Sequence, residues 1–99
     1  MVQMNASASD LATICRQNQV RELAVFGSAA RGDSRPESDV DVLVEFQSGA
    51  KIGFLAIARL IHALEPVFGR PVDLALKSGL KPSIREAVLR EAEVLFAEG

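Results

Sequence analysis

The stretch AVFGSAARGDSRPESDVDVLVEF, residues 24–46, contains the features that decide both the fold and the site. Its second half alternates valines with two aspartates, Asp39 and Asp41, so a strand here carries both carboxylates on one face. Two like charges on one face of a partly buried strand repel each other and lose solvation. The pair therefore belongs either to the solvated face of an edge strand or to a site that a cation completes.

The sequence on either side predicts further strands and helices around this segment. The predicted strands cover residues 21–26, 39–46 and 71–76, and Gly49 closes the second of them. A first helix, capped by Ser9 and Asp10, is expected to end near Gln19. The segment SAARG, residues 28–32, predicts a short helical turn, and residues 32–38 predict a loop.

Two longer helices complete the predicted order. The first is amphipathic, is expected to end or kink at Pro66, and carries Ile57, Leu60, Ile61, Leu64, Val67 and Phe68 at helical spacing. The last begins at Lys81 and presents an apolar inner face of Ile84, Val88, Ala92, Leu95 and Phe96. The order α-β-α-β-α-β-α predicts an α/β or α+β fold, a small mixed sheet with covering helices, as a single domain over residues 1–99.

Composition restricts the class of function. The chain is 48% hydrophobic and 24% charged, with a net charge of −2, so it lacks the basic surface that nucleic-acid binding requires. Its single cysteine, Cys15, is expected to be a small buried residue in a reducing compartment. No segment approaches the length of a membrane span and no leader is visible, so we expect a cytoplasmic protein.

A third aspartate, like the pair, lies within an apolar predicted strand. Asp73 lies between two apolar residues of the third predicted strand, so it can point out of the same sheet face as Asp39 and Asp41. Carboxylates are the ligands that Mg²⁺ takes in proteins, and a further one can act as general base towards an attacking hydroxyl. Taken singly, each of these aspartates also fits a solvated surface position.

Phosphate chemistry is indicated by the residues that follow the first strand. Gly27 allows close backbone approach, and Ser28 adds a hydroxyl at the start of a helical turn. Arg31 and Arg35 flank this turn and can neutralise phosphate charge, although solvated loop arginines fit the same pattern. The single histidine, His62, is expected on the exposed side of the long helix, which argues against a histidine-based site.

The motif of the chain consists of Gly27-Ser28, a ten-residue interval, Asp39-Val40-Asp41 and then Asp73 in a short apolar strand. This motif resembles that of the DNA polymerase β-type nucleotidyltransferase superfamily. The chain is most similar to its minimal nucleotidyltransferase (MNT) domains, and the resemblance covers essentially all of it. It implies that Gly27 and Ser28 bind the ATP phosphates, and the position of Arg31 beside them adds it to the expected nucleotide-binding residues. Asp39, Asp41 and Asp73 would then hold Mg²⁺, with Asp73 also assisting the attacking hydroxyl.

The resemblance also implies a partner. Stand-alone MNT proteins resemble the antitoxins of HEPN/MNT toxin–antitoxin pairs, which transfer AMP from ATP to a tyrosine of a HEPN ribonuclease, so a hetero-oligomer is expected. Two alternatives stay open: an antitoxin that neutralises its toxin by binding alone, and nucleotidyl transfer to a small molecule. The complete carboxylate set favours the enzyme, and the absence of an acceptor-binding domain disfavours the small molecule.

Overall fold

A computed structural model describes residues 3–32 and 38–98, which form a four-stranded sheet with helices. The helices are α1 (Ala8–Gln17), α2 (Ser28–Arg31), α3 (Phe54–Phe68) and α4 (Pro82–Glu91), with a 3₁₀ turn over Lys77–Gly79. The strands are β1 (Val20–Phe26), β2 (Val40–Phe46), β3 (Val72–Leu76) and β4 (Glu93–Ala97). The predicted fold class, a small mixed sheet with covering helices, is confirmed.

The sheet has the order β3-β2-β1-β4. β2 and β3 are parallel, whereas β1 is antiparallel to both of its neighbours. A parallel pair needs a crossover connection, and the helix α3 supplies it between β2 and β3. Because the two strands run in the same direction, their N-terminal ends lie side by side at one end of the sheet. There the backbone N–H of Val40 donates to the carbonyl of Pro71 at 2.9 Å.

One face of the sheet forms the core with α1 and α3. The buried apolar residues of this cluster include Leu11, Cys15, Val20, Leu23, Val25, Val40, Val42, Val44, Leu60, Leu64, Val67 and Phe68. Cys15 is fully buried, as predicted, and this burial raises the pKa of its thiol to about 11. The opposite face of β2 and β3 is thereby left to carry the aspartates.

Helix boundaries differ from the sequence-based expectation in two places. The N-cap of α1 is Ser7, two residues before the predicted cap, because Ser7 and Asp10 form a reciprocal capping box. Pro66 lies within α3, whose last residue is Phe68, and Gly69 ends the helix in the left-handed conformation. The predicted loop at 32–38 falls mostly outside the described residues.

The prediction of one continuous last helix is wrong. α4 ends at Glu91, and residues 93–97 form β4, which pairs with β1 and places Phe96 opposite Leu23. Phe96 does reach the core, but from a strand, whereas Ile84 of the predicted inner face is 48% exposed. The apolar residues of both segments fall at intervals that a helix would also produce, and the pairing of β4 with β1 decides the outcome.

The described residues contain no helix that is long and apolar enough to cross a membrane.

Candidate active site

Two of the predicted aspartates are direct neighbours on the parallel strands. The register pairs Asp41 of β2 with Asp73 of β3. Register partners on adjacent strands project from the same face, with backbones about 4.8 Å apart. Asp39 lies immediately before β2, two residues from Asp41. The structure therefore brings together the three carboxylates that the sequence singled out.

Electrostatics show how closely these groups interact. The pKa of Asp41 is raised above its ordinary value of 3.8, first by desolvation and then by the neighbouring charges of Asp73 and Asp39. Arg31 lowers the same pKa, and Glu91 raises it. Asp41 is half-buried while Asp39 and Asp73 are exposed. Asp41 is thus the inner member of an acidic cluster that opens to solvent.

The turn that follows β1 touches this cluster directly. Gly27 has a φ of +68° and a ψ of −146°, a conformation that side chains other than glycine rarely adopt. A Cβ atom at Gly27 would lie only 2.5 Å from Oδ2 of Asp41, so the glycine backbone packs against the carboxylate. Ser28 follows as the first residue of α2. The predicted phosphate turn and the predicted cation ligands therefore share one site.

Arg31 connects this site to the end of α4. Its Nη1 donates to Oε1 of Glu91 at 2.8 Å, and Glu91 is the last residue of α4. Sequence reasoning selected Arg31 but missed Glu91, which lies 60 residues away and belongs to no recognised motif. Only the fold brings this fourth carboxylate towards the other three.

The three carboxylates are the type of ligand that a hard divalent cation prefers, but they are not arranged to bind one. Carboxylate oxygens on adjacent strands are suitable ligands for Mg²⁺, and a cation would offset the desolvation and the repulsion that together raise the pKa of Asp41. Over residues 3–32 and 38–98, however, no three Asp, Glu, His or Cys side chains are grouped closely enough to hold a metal. Asp39 and Asp73 are exposed, so their side chains have room to change rotamer.

Two further sequence candidates can be placed against the structure. His62 is exposed on α3, as predicted, and lies in a different part of the chain from the acidic cluster. Arg35, the second arginine expected near the phosphate turn, lies outside the described residues. The described candidate site thus consists of Gly27, Ser28 and Arg31 together with the three aspartates.

Comparison with known proteins agrees with this arrangement. The family model of the nucleotidyltransferase domain matches residues 8–95. The protein adenylyltransferase MntA of Thermococcus cleftensis is 46% identical over 72 residues, which cover 73% of this chain and 71% of that protein. A solved structure provisionally named a minimal nucleotidyltransferase is 42% identical, has a TM-score of 0.72, and is matched over 87% of this chain and 86% of that one.

More distant structures share the fold. A toxin–antitoxin complex with AMP-PNP contains a chain that is 19% identical, with a TM-score of 0.71 over 93% of this chain and 74% of that one. A complex of a tri-AMPylated HEPN toxin with an MNT antitoxin from Shewanella oneidensis gives 17% identity and a TM-score of 0.62, over 91% and 69%. Because the family match extends over nearly the whole chain and includes all the site residues, the chain belongs to the nucleotidyltransferase domain family.

Proposed function

We propose that this chain is an antitoxin that transfers AMP from ATP to a tyrosine hydroxyl of a HEPN-family ribonuclease and releases pyrophosphate. The relative MntA, named a protein adenylyltransferase, and the fold shared with MNT–HEPN complexes support this proposal. The observation that carries it is the pairing of Asp41 with Asp73 beside Gly27, because a nucleotidyl transfer needs carboxylates and a phosphate turn in one place.

In this proposal, Asp39 and Asp41 hold Mg²⁺, with Asp73 as a further ligand. When bound, the cation supplies positive charge that offsets the charge of the triphosphate. The close packing of Gly27 on Asp41 sets the position of that carboxylate against the turn. The backbone of Gly27, the hydroxyl of Ser28 and the guanidinium of Arg31 then bind phosphate oxygens and hold the α-phosphorus in place.

Asp73 acts on the acceptor. Its carboxylate takes the proton of the tyrosine hydroxyl while the hydroxyl oxygen forms a bond to the α-phosphorus of ATP. The bond between the α-phosphorus and its bridging oxygen to the β-phosphate breaks, and pyrophosphate leaves with the electron pair. The exposure of Asp73 allows a partner side chain to reach it. The sequence contains no tyrosine, so a tyrosine acceptor belongs to another protein.

The test of the nucleotide site is the double variant Asp39→Ala/Asp41→Ala. Calorimetry with ATP and Mg²⁺ is expected to show binding to the parent chain and none to the variant, because the triphosphate needs the cation that these carboxylates hold. Chelation of the metal should abolish binding to the parent as well. Circular dichroism should show an unchanged fold.

A matched control removes the same charge elsewhere. Glu86 is largely exposed and Glu98 partly exposed, and each is paired with an arginine outside the candidate site. The variant Glu86→Ala/Glu98→Ala should bind ATP as the parent does. Unchanged ATP affinity in Asp39→Ala/Asp41→Ala would place the nucleotide elsewhere and refute the site.

A further inference from the structure

The ion pair between Arg31 and Glu91 joins the phosphate turn to α4, an element that the proposed reaction does not use. Arg31 is the last residue of α2, and its backbone N–H donates to the carbonyl of Gly27 at 3.1 Å. Its guanidinium contacts Glu91 at 2.8 Å, with 53% of the arginine side chain and 32% of the glutamate side chain exposed. A bound nucleotide can therefore reach the arginine without passing through the core.

Glu91 occupies an unfavourable place for an acid. It lies in the last turn of α4, where the helix dipole disfavours negative charge and favours a cation. A residue that breaks a local rule in this way needs a compensating interaction, and the contact with Arg31 supplies one. The ion pair with Arg31 therefore stabilises a negative charge that the dipole of α4 disfavours.

The helix that carries Glu91 makes polar contacts near both of its ends. No residue of α4 is buried. Near its N-terminal end, Nη1 of Arg85 donates to the carbonyl of Lys77 at 2.8 Å, and Nζ of Lys77 in turn contacts Glu22 of β1 at 3.3 Å. The pair of Glu91 with Arg31 is the corresponding tie at the other end. Glu91 therefore lies on a helix that contacts neighbouring elements near both of its ends.

Arg31 lies close to the acidic cluster, where its charge lowers the pKa of Asp41. Its guanidinium is a planar fork of N–H donors, a geometry that suits phosphate oxygens. The contact with Glu91 at 2.8 Å is one of the interactions that order this long side chain.

We infer that Glu91 is a positioning residue, which orders the guanidinium of Arg31 beside the turn that is proposed to bind the nucleotide phosphates. This inference rests on the proposed function, since it assumes that Arg31 contacts phosphate. Glu91 acts by ordering a long side chain before the nucleotide arrives. It is therefore expected to lower the Kd for ATP and the KM, and to leave kcat largely unchanged.

The test is a double-variant cycle of Glu91→Ala and Arg31→Ala, with ATP and Mg²⁺ binding to the isolated chain measured by calorimetry. Glu91→Ala should weaken binding about two- to tenfold, the range that ordering one long side chain is worth. In the Arg31→Ala background the same change should have no effect, because Glu91 acts through Arg31. Glu86→Ala, which breaks an arginine pair elsewhere on α4, should match the parent.

A charge swap separates positioning from a merely structural role. Arg31→Glu/Glu91→Arg restores an ion pair between the two elements, so thermal unfolding should match the parent while ATP affinity stays low. Restored ATP affinity in the swap, or an equal effect of Glu91→Ala with and without Arg31, would overturn the inference. If Glu91→Ala does not fold, Glu91→Gln, which keeps the shape and removes the charge, replaces it in the cycle.

The failure of the proposed function gives a different result. A parent chain that binds no ATP in the presence of Mg²⁺ would refute both the nucleotide site and the role of Glu91. A parent chain that binds ATP, with Glu91→Ala indistinguishable from it, would refute only the role of Glu91.

Discussion

Gly27 is the residue on which the assembly of the site depends most directly, because it joins the end of β1 to the carboxylate of Asp41. Its positive φ excludes most side chains, and its missing Cβ leaves the space that Oδ2 of Asp41 fills. The sequence predicted that this glycine allows close approach to a phosphate. The structure adds that it also allows close approach to an aspartate of the neighbouring strand.

The variant Gly27→Ala is expected to lose both stability and nucleotide binding. An alanine at this backbone conformation costs about 1–3 kcal/mol, and its methyl group would displace the carboxylate of Asp41. The displaced ligand should weaken binding of ATP with Mg²⁺ about tenfold or more. Thermal unfolding and calorimetry measure the two effects separately.

The chain offers a matched control for this variant. Gly49 also has a positive φ, of +82°, but a Cβ there would meet no atom within 4 Å. Gly49→Ala should therefore share the backbone strain and keep normal ATP binding. Equal ATP affinities in the two variants would show that contact with Asp41 does not matter to the site.

Asp41 should make the metal-free protein less stable as pH rises. Its pKa is raised in the folded state, so between pH 3.8 and that raised value the folded chain binds more protons at this group than the unfolded chain does. The free energy of unfolding contributed by Asp41 therefore falls as pH increases through this window. Asp41→Asn has no proton to release and should lack this contribution.

Chemical unfolding in chelator between about pH 4 and 7 measures this linkage. The stability of the parent relative to Asp41→Asn is expected to decrease as pH rises, and added Mg²⁺ should reduce the difference at the upper end. A relative stability of the parent that instead increases with pH would mean that Asp41 is stabilised as a carboxylate without any cation.

At the scale of elements, local pattern predicted the three strands that carry or precede the site, and it failed at the end of the chain. Alternation of apolar and acidic residues is a short-range signal, so it correctly indicated β2 and β3 and the face that their aspartates share. The side-by-side register of Asp41 and Asp73 depends on a crossover through α3, which alternation does not encode. β4 was missed because its pairing with β1 is equally non-local.

Two substitutions in the C-terminal segment test this corrected assignment. Phe96→Ala removes a residue that is only 9% exposed and should cost about 3 kcal/mol or more of the free energy of unfolding. Ile84→Ala should cost less than about 1 kcal/mol, because half of this side chain is already in solvent. Denaturant unfolding measures both. A large loss of the free energy of unfolding in Ile84→Ala would instead support the predicted apolar inner face of the last helix.

At the scale of the whole molecule, the fold converts four separate sequence segments into one acidic, solvent-facing site. The sequence identified the aspartates and the glycine–serine turn because their residue types are unusual for their positions. It did not identify Glu91, because the predicted last helix continued past this residue, so its place at a helix end and its contact with Arg31 appear only in the folded chain. The residues of the site were thus predictable where they break a local pattern, and unpredictable where only packing brings them close.

The variant Asp73→Asn tests whether the proposed neutralisation of a HEPN partner occurs by catalysis or by binding alone. Asn is nearly isosteric with Asp, and Asp73 is exposed, so fold and partner binding should survive. The amide cannot accept the proton of the attacking hydroxyl, so transfer should fall by about 10²–10⁴-fold. The experiment pairs the chain with a HEPN-family protein as the proposed partner, and the isolated chain, which has no tyrosine, is the unlabelled control.

Mass spectrometry of the partner, recovered from cells together with the antitoxin, is the decisive measurement. We expect that Asp73→Asn still co-purifies with the HEPN protein, adds no AMP to it and no longer protects the cells. Full protection by Asp73→Asn with an unmodified partner would mean that neutralisation occurs by binding alone, and would refute the proposed catalysis.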